Sequence, residues 1–163
     1  MIFVTVGTHE QPFNRLIEYM DYWAKLHNEK VIMQTGFSTY TPKYAEWKKM
    51  YPYQEMIELV KVARIVITHG GPSSFIMPLQ FGKMPIVIPR QTKYNEHVND
   101  HQLHFCIEVE KRMKNIILIE NVKSLSNAIE KYTDNDTIQN NPSNNETFCK
   151  KLEKIIDNMF QNV

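Results

Sequence analysis

The sequence predicts an α/β fold, with helices layered on a parallel sheet. Three observations carry that prediction. Short apolar, β-branched runs at residues 2–6, 31–34, 65–68, 86–88 and 116–119 alternate with longer stretches of helical periodicity. The runs lack a polar alternate face, as strands buried on both sides do. The first four end in polar corners: Gly7-Thr8-His9, Thr35-Gly36-Phe37-Ser38, His69-Gly70-Gly71 and Pro89-Arg90-Gln91. With right-handed crossovers these corners share one edge of the sheet, beyond the carboxyl ends of the strands, where such folds bind ligands.

Each element follows from local pattern. After strand 2–6, Pro12 opens a helix running to about residue 27, with Phe13, Leu16, Ile17, Met20 and Ala24 as its apolar stripe. Strand 31–34 follows. Residues 40–52 are aromatic and basic, with Trp47 among lysines, and read as irregular with room for one more short strand. Residues 54–63 form a helix carrying Met56, Ile57, Leu59 and Val60. Strand 65–68 leads through the glycine corner to a helix over 73–81. Pro72 suits the first helical position and Gly82 the residue just past the end. Pro78 removes a backbone hydrogen bond and should kink this helix or shorten it. Strand 86–88 is bounded by prolines, 90–94 is a loop, 96–110 a helix and 116–119 a strand. Leu125, Ile129 and Tyr132 mark another helix. Residues 133–142 read as an asparagine-rich linker. Ser143 to Glu146 has capping-box spacing. It opens an amphipathic C-terminal helix, 143–160, with Phe148, Leu152, Ile155, Ile156 and Met159 on one side, expected to cover its own sheet. The whole, 1–163, reads as one domain.

Composition removes several classes of function. A net charge of +1 gives no case for bulk electrostatic binding of nucleic acid. Cys106 and Cys149 form no CxxC and no zinc-ligand spacing, so reduced thiols in a cytoplasmic protein are expected. Residues 2–6 are too short for a signal peptide, and no run approaches the ~20 apolar residues of a membrane span. Work at a membrane would need another component to hold the chain there.

The richest stretch is residues 65–75, a strand meeting a helix through His69-Gly70-Gly71-Pro72-Ser73-Ser74. Its plain reading is a tight turn with a serine cap. A cap needs neither two glycines nor a histidine, however. The free N–H groups and the positive dipole end of the helix suit a phosphate. Gly70 and Gly71 allow positive φ and close approach of a ligand. His69, Ser73 and Ser74 add donors. Neither the P-loop pattern nor GxGxxG is present, so ATP and NAD are not indicated. At the first corner, Gly7 and Thr8 are candidates for the phosphates, and His9 or Glu10 for the chemistry. Residues 89–102 are dense in polar groups. Arg90 and Lys93 can neutralise phosphate, and Gln91, Glu96, His97, Asp100 and Gln102 can pair with sugar hydroxyls. His97, His101 and His104 fall at i, i+4 and i+7, but HExxH is absent and a polar face into the cleft explains them equally. Asp134-Asn135-Asp136 sits in the linker, far from any strand end. No metal and no cofactor is expected.

These residues carry a family resemblance. The chain resembles the donor-binding half of glycosyltransferases of the GT-B fold, over nearly its whole length. It is most similar to the short subunits of two-component bacterial transferases that build capsule and exopolysaccharide. The similarity is most specific in Ile67-Thr68-His69-Gly70-Gly71-Pro72 and in Glu96-His97-Val98-Asn99-Asp100-His101-Gln102. The chain also resembles the catalytic subunit of the split transferase that adds the second N-acetylglucosamine in eukaryotic N-glycan assembly. More distantly it is similar to the C-terminal domain of the lipid II-forming transferase. The resemblance implies a Rossmann-like domain, helices on both faces of the sheet, equivalent to the C-terminal half of a GT-B enzyme. It implies inverting, metal-independent transfer from a UDP-sugar to a lipid-linked saccharide at the inner face of the cell membrane. A membrane-anchored partner subunit would supply the other half. In the similar proteins the sugar is commonly galactose, in β-1,4 linkage. His69, Gly70 and Gly71 match the family's diphosphate corner, with Ser73 and Ser74 at the helix start. Glu96 and His97 match the sugar-facing pair. Met77 departs from the pattern, standing where distant relatives carry an acidic ribose ligand.

The expected function is therefore a hexosyltransferase subunit in polysaccharide biosynthesis. A GT-B enzyme needs two such domains, and the chain has residues for one, so activity is expected only with a partner. The alternatives are a non-catalytic accessory subunit and a UDP-sugar epimerase-like protein, and a homo-oligomer stays open.

Overall fold

The computed structural model describes residues 1–133 and 145–160. The apolar runs are strands: β1 (Ile2–Thr5), β2 (Val31–Gln34), β3 (Glu46–Lys48), β4 (Ile65–His69), β5 (Ile86–Ile88) and β6 (Ile117–Leu118). All pair in parallel, in the order β3-β2-β1-β4-β5-β6. β1 is central, with Ile2 opposite Val31 on one side and Ile65 on the other. The chain winds outward from β1 through β2 and β3, then returns to the far side of β1 for β4. Connections leaving β1 and β4 therefore diverge, and a crevice opens beyond their carboxyl ends.

The helices are α1 (Asn14–Leu26), α2 (Tyr53–Val62), α3 (Pro72–Gln80), α4 (His101–Met113), α5 (Leu125–Lys131) and α6 (Asn145–Phe160). One sheet face is covered by α1 and α5. There Phe13, Leu16, Ile17, Met20, Leu125 and Ile129 pack on Ile2, Val4, Met33, Ile65, Ile67, Ile86 and Ile88. The opposite face takes α2, α3 and α4, with Val60, Phe75 and Cys106 against Phe3, Ile32, Val66 and Val87. Residues 2, 4 and 6 thus face one layer and residue 3 the other, the period-2 rule of a strand buried on both sides. The α/β fold, Rossmann-like with helices on both faces, is as expected, and β3 fills the room left for one more strand.

Several boundaries differ for physical reasons. α1 starts at Asn14 rather than Pro12, because the Phe13 N–H donates to Ser38 Oγ at 3.1 Å instead of entering a helix. Pro78 shortens α3. The helix ends at Gln80, where Gly82 takes φ 71° and donates to Leu79 O while Lys83 donates to Pro78 O. That closing pair satisfies the last carbonyls of the helix.

The helix expected over 96–110 begins only at His101. Residues before it are held in a loop. The Asp100 carboxylate accepts from the Thr92 N–H and Thr92 Oγ1, both at 2.8 Å, and Asn95 sits at φ 56°. Side chain–backbone bonds of this kind compete with helix. His97 is therefore off the helix, and the face expected to hold His97, His101 and His104 together does not form.

α6 also departs from expectation. Its apolar residues Phe148, Leu152, Ile155, Ile156 and Met159 are exposed, between 44% and 67%, and none joins the sheet cores. They do not cover the chain's own sheet. The expected linker beyond Thr133, the Asp134-Asn135-Asp136 motif and the first half of the capping box lie outside the described residues.

Candidate functional site

The corners after β1 and β4 meet in the crevice between them. A cleft of about 460 Å³ lies there, lined by Thr5, Gly7, Thr8, His9, Gln34, Tyr53, Met56, Val60, His69, Ser73, Ser74, Met77 and Gln102. Of the residues expected at the site, Gly7, Thr8, His9, His69, Ser73, Ser74 and Gln102 are brought together. His97 stands beside His9, ring centroids 4.8 Å apart, and Glu10 is exposed at the same corner.

His69 closes the end of β4 and is 8% exposed. Burial first, then the charges of Arg90, His9 and His97, push its pKa down to about 3. The ring is neutral at ordinary pH, and its Nδ1 is buried with no partner. The glycines around it do different work from that expected of them. Gly70 and Gly71 do not take positive φ, whereas Gly7 does, at 73°. A Cβ on Gly7 would lie 2.4 Å from His69 Cε1, and one on Gly71 2.4 Å from His69 Nε2. The two glycines house the imidazole between the corners. Gly70 instead lies under α4, where a Cβ would come 3.0 Å from Cys106 Sγ and Gln102 Cβ. Cys106 is buried, which pushes its thiol up to about 12, so it acts as packing and not as a nucleophile.

The start of α3 is uncapped by any side chain. Pro72 has no N–H, and the Ser74 N–H turns back to Gly71 O at 3.0 Å. The Ser73 N–H and both serine hydroxyls remain as donors at the positive end of the helix, on the cleft wall. Tyr53, Met56 and Val60 of α2, with Met77 one turn along α3, add apolar surface to the same cleft. Sequence reasoning missed Tyr53, Met56 and Val60, because on α2 they read as helix surface and core stripe. Gln34 was missed because it ends an apolar strand. It spans two elements, donating to Thr5 Oγ1 at 3.2 Å and accepting from the Tyr51 N–H at 3.1 Å.

The polar stretch after β5 mostly turns inward, against the expectation of sugar and phosphate contacts. Arg90 is wholly buried. Its Nη2 donates to Val6 O at 2.9 Å, and its Nη1 to Gln11 O at 2.7 Å, Glu96 O at 3.2 Å and Pro12 O at 3.4 Å. It braces the first corner from beneath. Burial lowers its pKa to about 10, with the nearby Glu96 opposing, so it stays a cation at neutral pH. Glu96, 3% exposed, grips Arg15 through two 2.9 Å bonds and accepts from the Gln91 N–H. Gln91 is buried and donates to Glu120 O at 2.8 Å. Asp100 ties the loop to Thr92, as described. Only Gln102 from this group reaches the cleft, its Oε1 accepting from the Arg90 N–H at 3.2 Å. The physical reason is charge compensation. Buried Glu96 is neutralised by Arg15, a pairing of residues 81 apart in sequence that no local pattern shows. Arg90 thus leaves net positive charge behind the corners, beneath a cleft rimmed with N–H and O–H donors. That arrangement favours an anion with several oxygens.

Among the described residues no helix is long and apolar enough to cross a membrane. The family model of the glycosyltransferase family 28 C-terminal domain matches residues 1–159. A comparison with curated proteins returns no match.

Proposed function

Because the chain belongs to the glycosyltransferase family 28 C-terminal domain, a domain of GT-B transferases, we propose that its cleft binds a UDP-sugar for transfer of a hexose to a lipid-linked saccharide. One observation carries the reading. The glycine corner of β1 and the uncapped start of α3 converge on a single cleft, over the buried cation of Arg90. The diphosphate lies at Ser73, Ser74, Thr8 and the two imidazoles. The base ring lies against Tyr53, Met56 and Met77, a wall that supplies stacking and no ribose carboxylate. The sugar extends toward Gln102 and His97.

By resemblance, transfer inverts the anomeric centre. The acceptor hydroxyl oxygen bonds to the anomeric carbon as the bond from that carbon to the β-phosphate oxygen breaks. The electron pair leaves with UDP, whose new charge the donors stabilise. The hydroxyl proton goes to a carboxylate, for which Glu10 is this chain's candidate, and a partner could contribute one across the cleft. Galactose is the favoured hexose and capsule or exopolysaccharide assembly the favoured setting, both by resemblance. A membrane-anchored partner is supported by the exposed apolar face of α6 and by Phe37, Trp47 and Met50, exposed around a hollow of about 450 Å³ beyond β2 and β3.

The test is transfer from a panel of UDP-sugars to a lipid-linked acceptor, with and without the partner subunit, alongside thermal melts in UDP. UDP should raise the melting temperature, since it binds only the folded state. No shift at millimolar UDP would overturn the donor site. Full transfer by the chain alone would overturn the need for a partner.

A further inference from the structure

We infer that His9 acts in the cleft as a neutral hydrogen-bond donor through Nε2–H, not as a base, and that Arg90 is the positioning residue that fixes it so.

The geometry begins with one bond. The Gln11 backbone N–H donates to His9 Nδ1 at 3.2 Å. A peptide N–H can only donate, so Nδ1 must carry its lone pair toward it. The single hydrogen of the neutral ring then sits on Nε2. The same peptide unit region is held from below, because Gln11 O accepts from Arg90 Nη1 at 2.7 Å, the shortest of the four bonds that guanidinium makes to carbonyls. Those carbonyls belong to Val6, Gln11, Pro12 and Glu96, so they bracket the corner on both sides. Arg90 therefore reaches His9 by hydrogen bonds through the Gln11 backbone, and its charge acts on the ring besides.

The groups facing His9 keep the ring neutral. Burial lowers its pKa most, then Arg90 and the neighbouring, tilted His97 ring, while the exposed Glu10 opposes them. His69 faces it across the corner, itself neutral. A base needs a free lone pair, and the one on His9 is occupied by the chain's own backbone. The remaining N–H suits a phosphate oxygen. That role rests on the nucleotide-sugar reading, whereas the tautomer and its cause do not.

The full chain, labelled with ¹⁵N-histidine, tests this by long-range ¹H–¹⁵N spectra between pH 5.5 and 8.5, with His9 assigned by its loss in H9Q. His9 should show the Nε2–H tautomer alone at pH 7. A protonated ring, an Nδ1–H ring or an averaged signal overturns the inference. In R90K the charge stays but the four-carbonyl bracket goes, and the His9 signal should move toward a tautomer mixture. An unchanged single tautomer in folded R90K overturns the role of Arg90. If R90K fails to fold, the wild-type Arg90 Nη protons decide: they should exchange slowly and show contacts to residue 11, and fast exchange overturns the role. UDP binding supplies the functional arm. H9A should weaken UDP about tenfold or more, the scale of a hydrogen bond to a charged group. H9Q, which keeps a donor N–H but cannot act as a base, should recover most of that loss. H9Q as weak as H9A overturns the donor role even with the tautomer intact. Wild-type protein that binds no UDP overturns the phosphate role and the nucleotide-sugar reading, and leaves the tautomer standing.

Discussion

The imidazole of His69 shows how a glycine motif can be legible while its reason is not. His-Gly-Gly at a strand end points to a site, and a cleft opens there. The glycines, however, are shaped by a side chain and not by a ligand, since a Cβ at residue 7 or 71 would overlap the ring. No local pattern reveals that for Gly7, because Gly7 follows β1 and His69 ends β4, strands that become neighbours only in the sheet. A double-mutant cycle follows. Gly71 has φ −78°, which alanine adopts without strain, so the cost of G71A is the clash alone. It should be about 1–3 kcal/mol by urea denaturation. In the H69A background the space is free, and the cost should fall below about 1 kcal/mol. Equal costs in both backgrounds would sink the explanation. The same ring makes stability pH-dependent. Its folded pKa, about 3, lies below the unfolded value near 6.5. Between those values only the unfolded chain takes up the proton. The stabilisation is complete above 6.5 and is lost as pH falls, by up to about 1.4 kcal/mol per unit. Urea midpoints at pH 7 and pH 5 should therefore converge in H69N relative to wild type.

At the scale of elements, short buried strands and their corners are readable because apolar runs and glycine-proline punctuation are local. The loop over 89–100 is not, because its polar side chains are spent on distant partners. Arg90 holds Val6, Gln11 and Pro12, and Glu96 holds Arg15. Density of polar residues looked like a binding surface, yet most of these side chains turn inward to brace the fold. The aromatic, basic stretch before β3 has a similar hidden organiser. Asp21 on α1 is fully buried, and its carboxylate accepts from the Lys43, Tyr44 and Ala45 N–H groups and from Tyr40 Oη, at 2.8–2.9 Å. Burial pushes its pKa up, but those four bonds outweigh it and hold the group below the usual carboxylate range. D21N keeps the shape and replaces one acceptor oxygen with a donor facing backbone donors. It should cost about 2–3 kcal/mol, the penalty of unsatisfied buried groups. Near-UV circular dichroism should show the Trp47 environment altered in the folded variant. A loss under about 0.5 kcal/mol would mean the loop is held by something else.

For the whole molecule, the sheet and five of its helices form continuous cores that include no residue of α6. On α6, Phe148, Leu152, Ile155, Ile156 and Met159 recur at i, i+4, i+7, i+8 and i+11, one face of a helix. Such a stripe is legible from sequence, but what it faces is not, since periodicity reports amphipathicity and not the surface opposite. Exposed as it is, the stripe adds little to the stability of the sheet layer. A chain of residues 1–133 should fold and melt within about 4 °C of the full chain, roughly 1 kcal/mol for a domain of this size. Contiguous apolar surface on a helix is instead a means of association. The full chain should sediment as a mixture that shifts to larger species with concentration, or bind the proposed partner subunit, while residues 1–133 should remain monomeric and should not bind that partner. UDP affinity should be equal in the two, because among the described residues every one lining the cleft precedes Thr133. Unfolding of the shorter chain would show that α6 packs on the sheet after all. Monomeric behaviour of both forms, with partner binding intact in residues 1–133, would move the docking surface to Phe37, Trp47 and Met50.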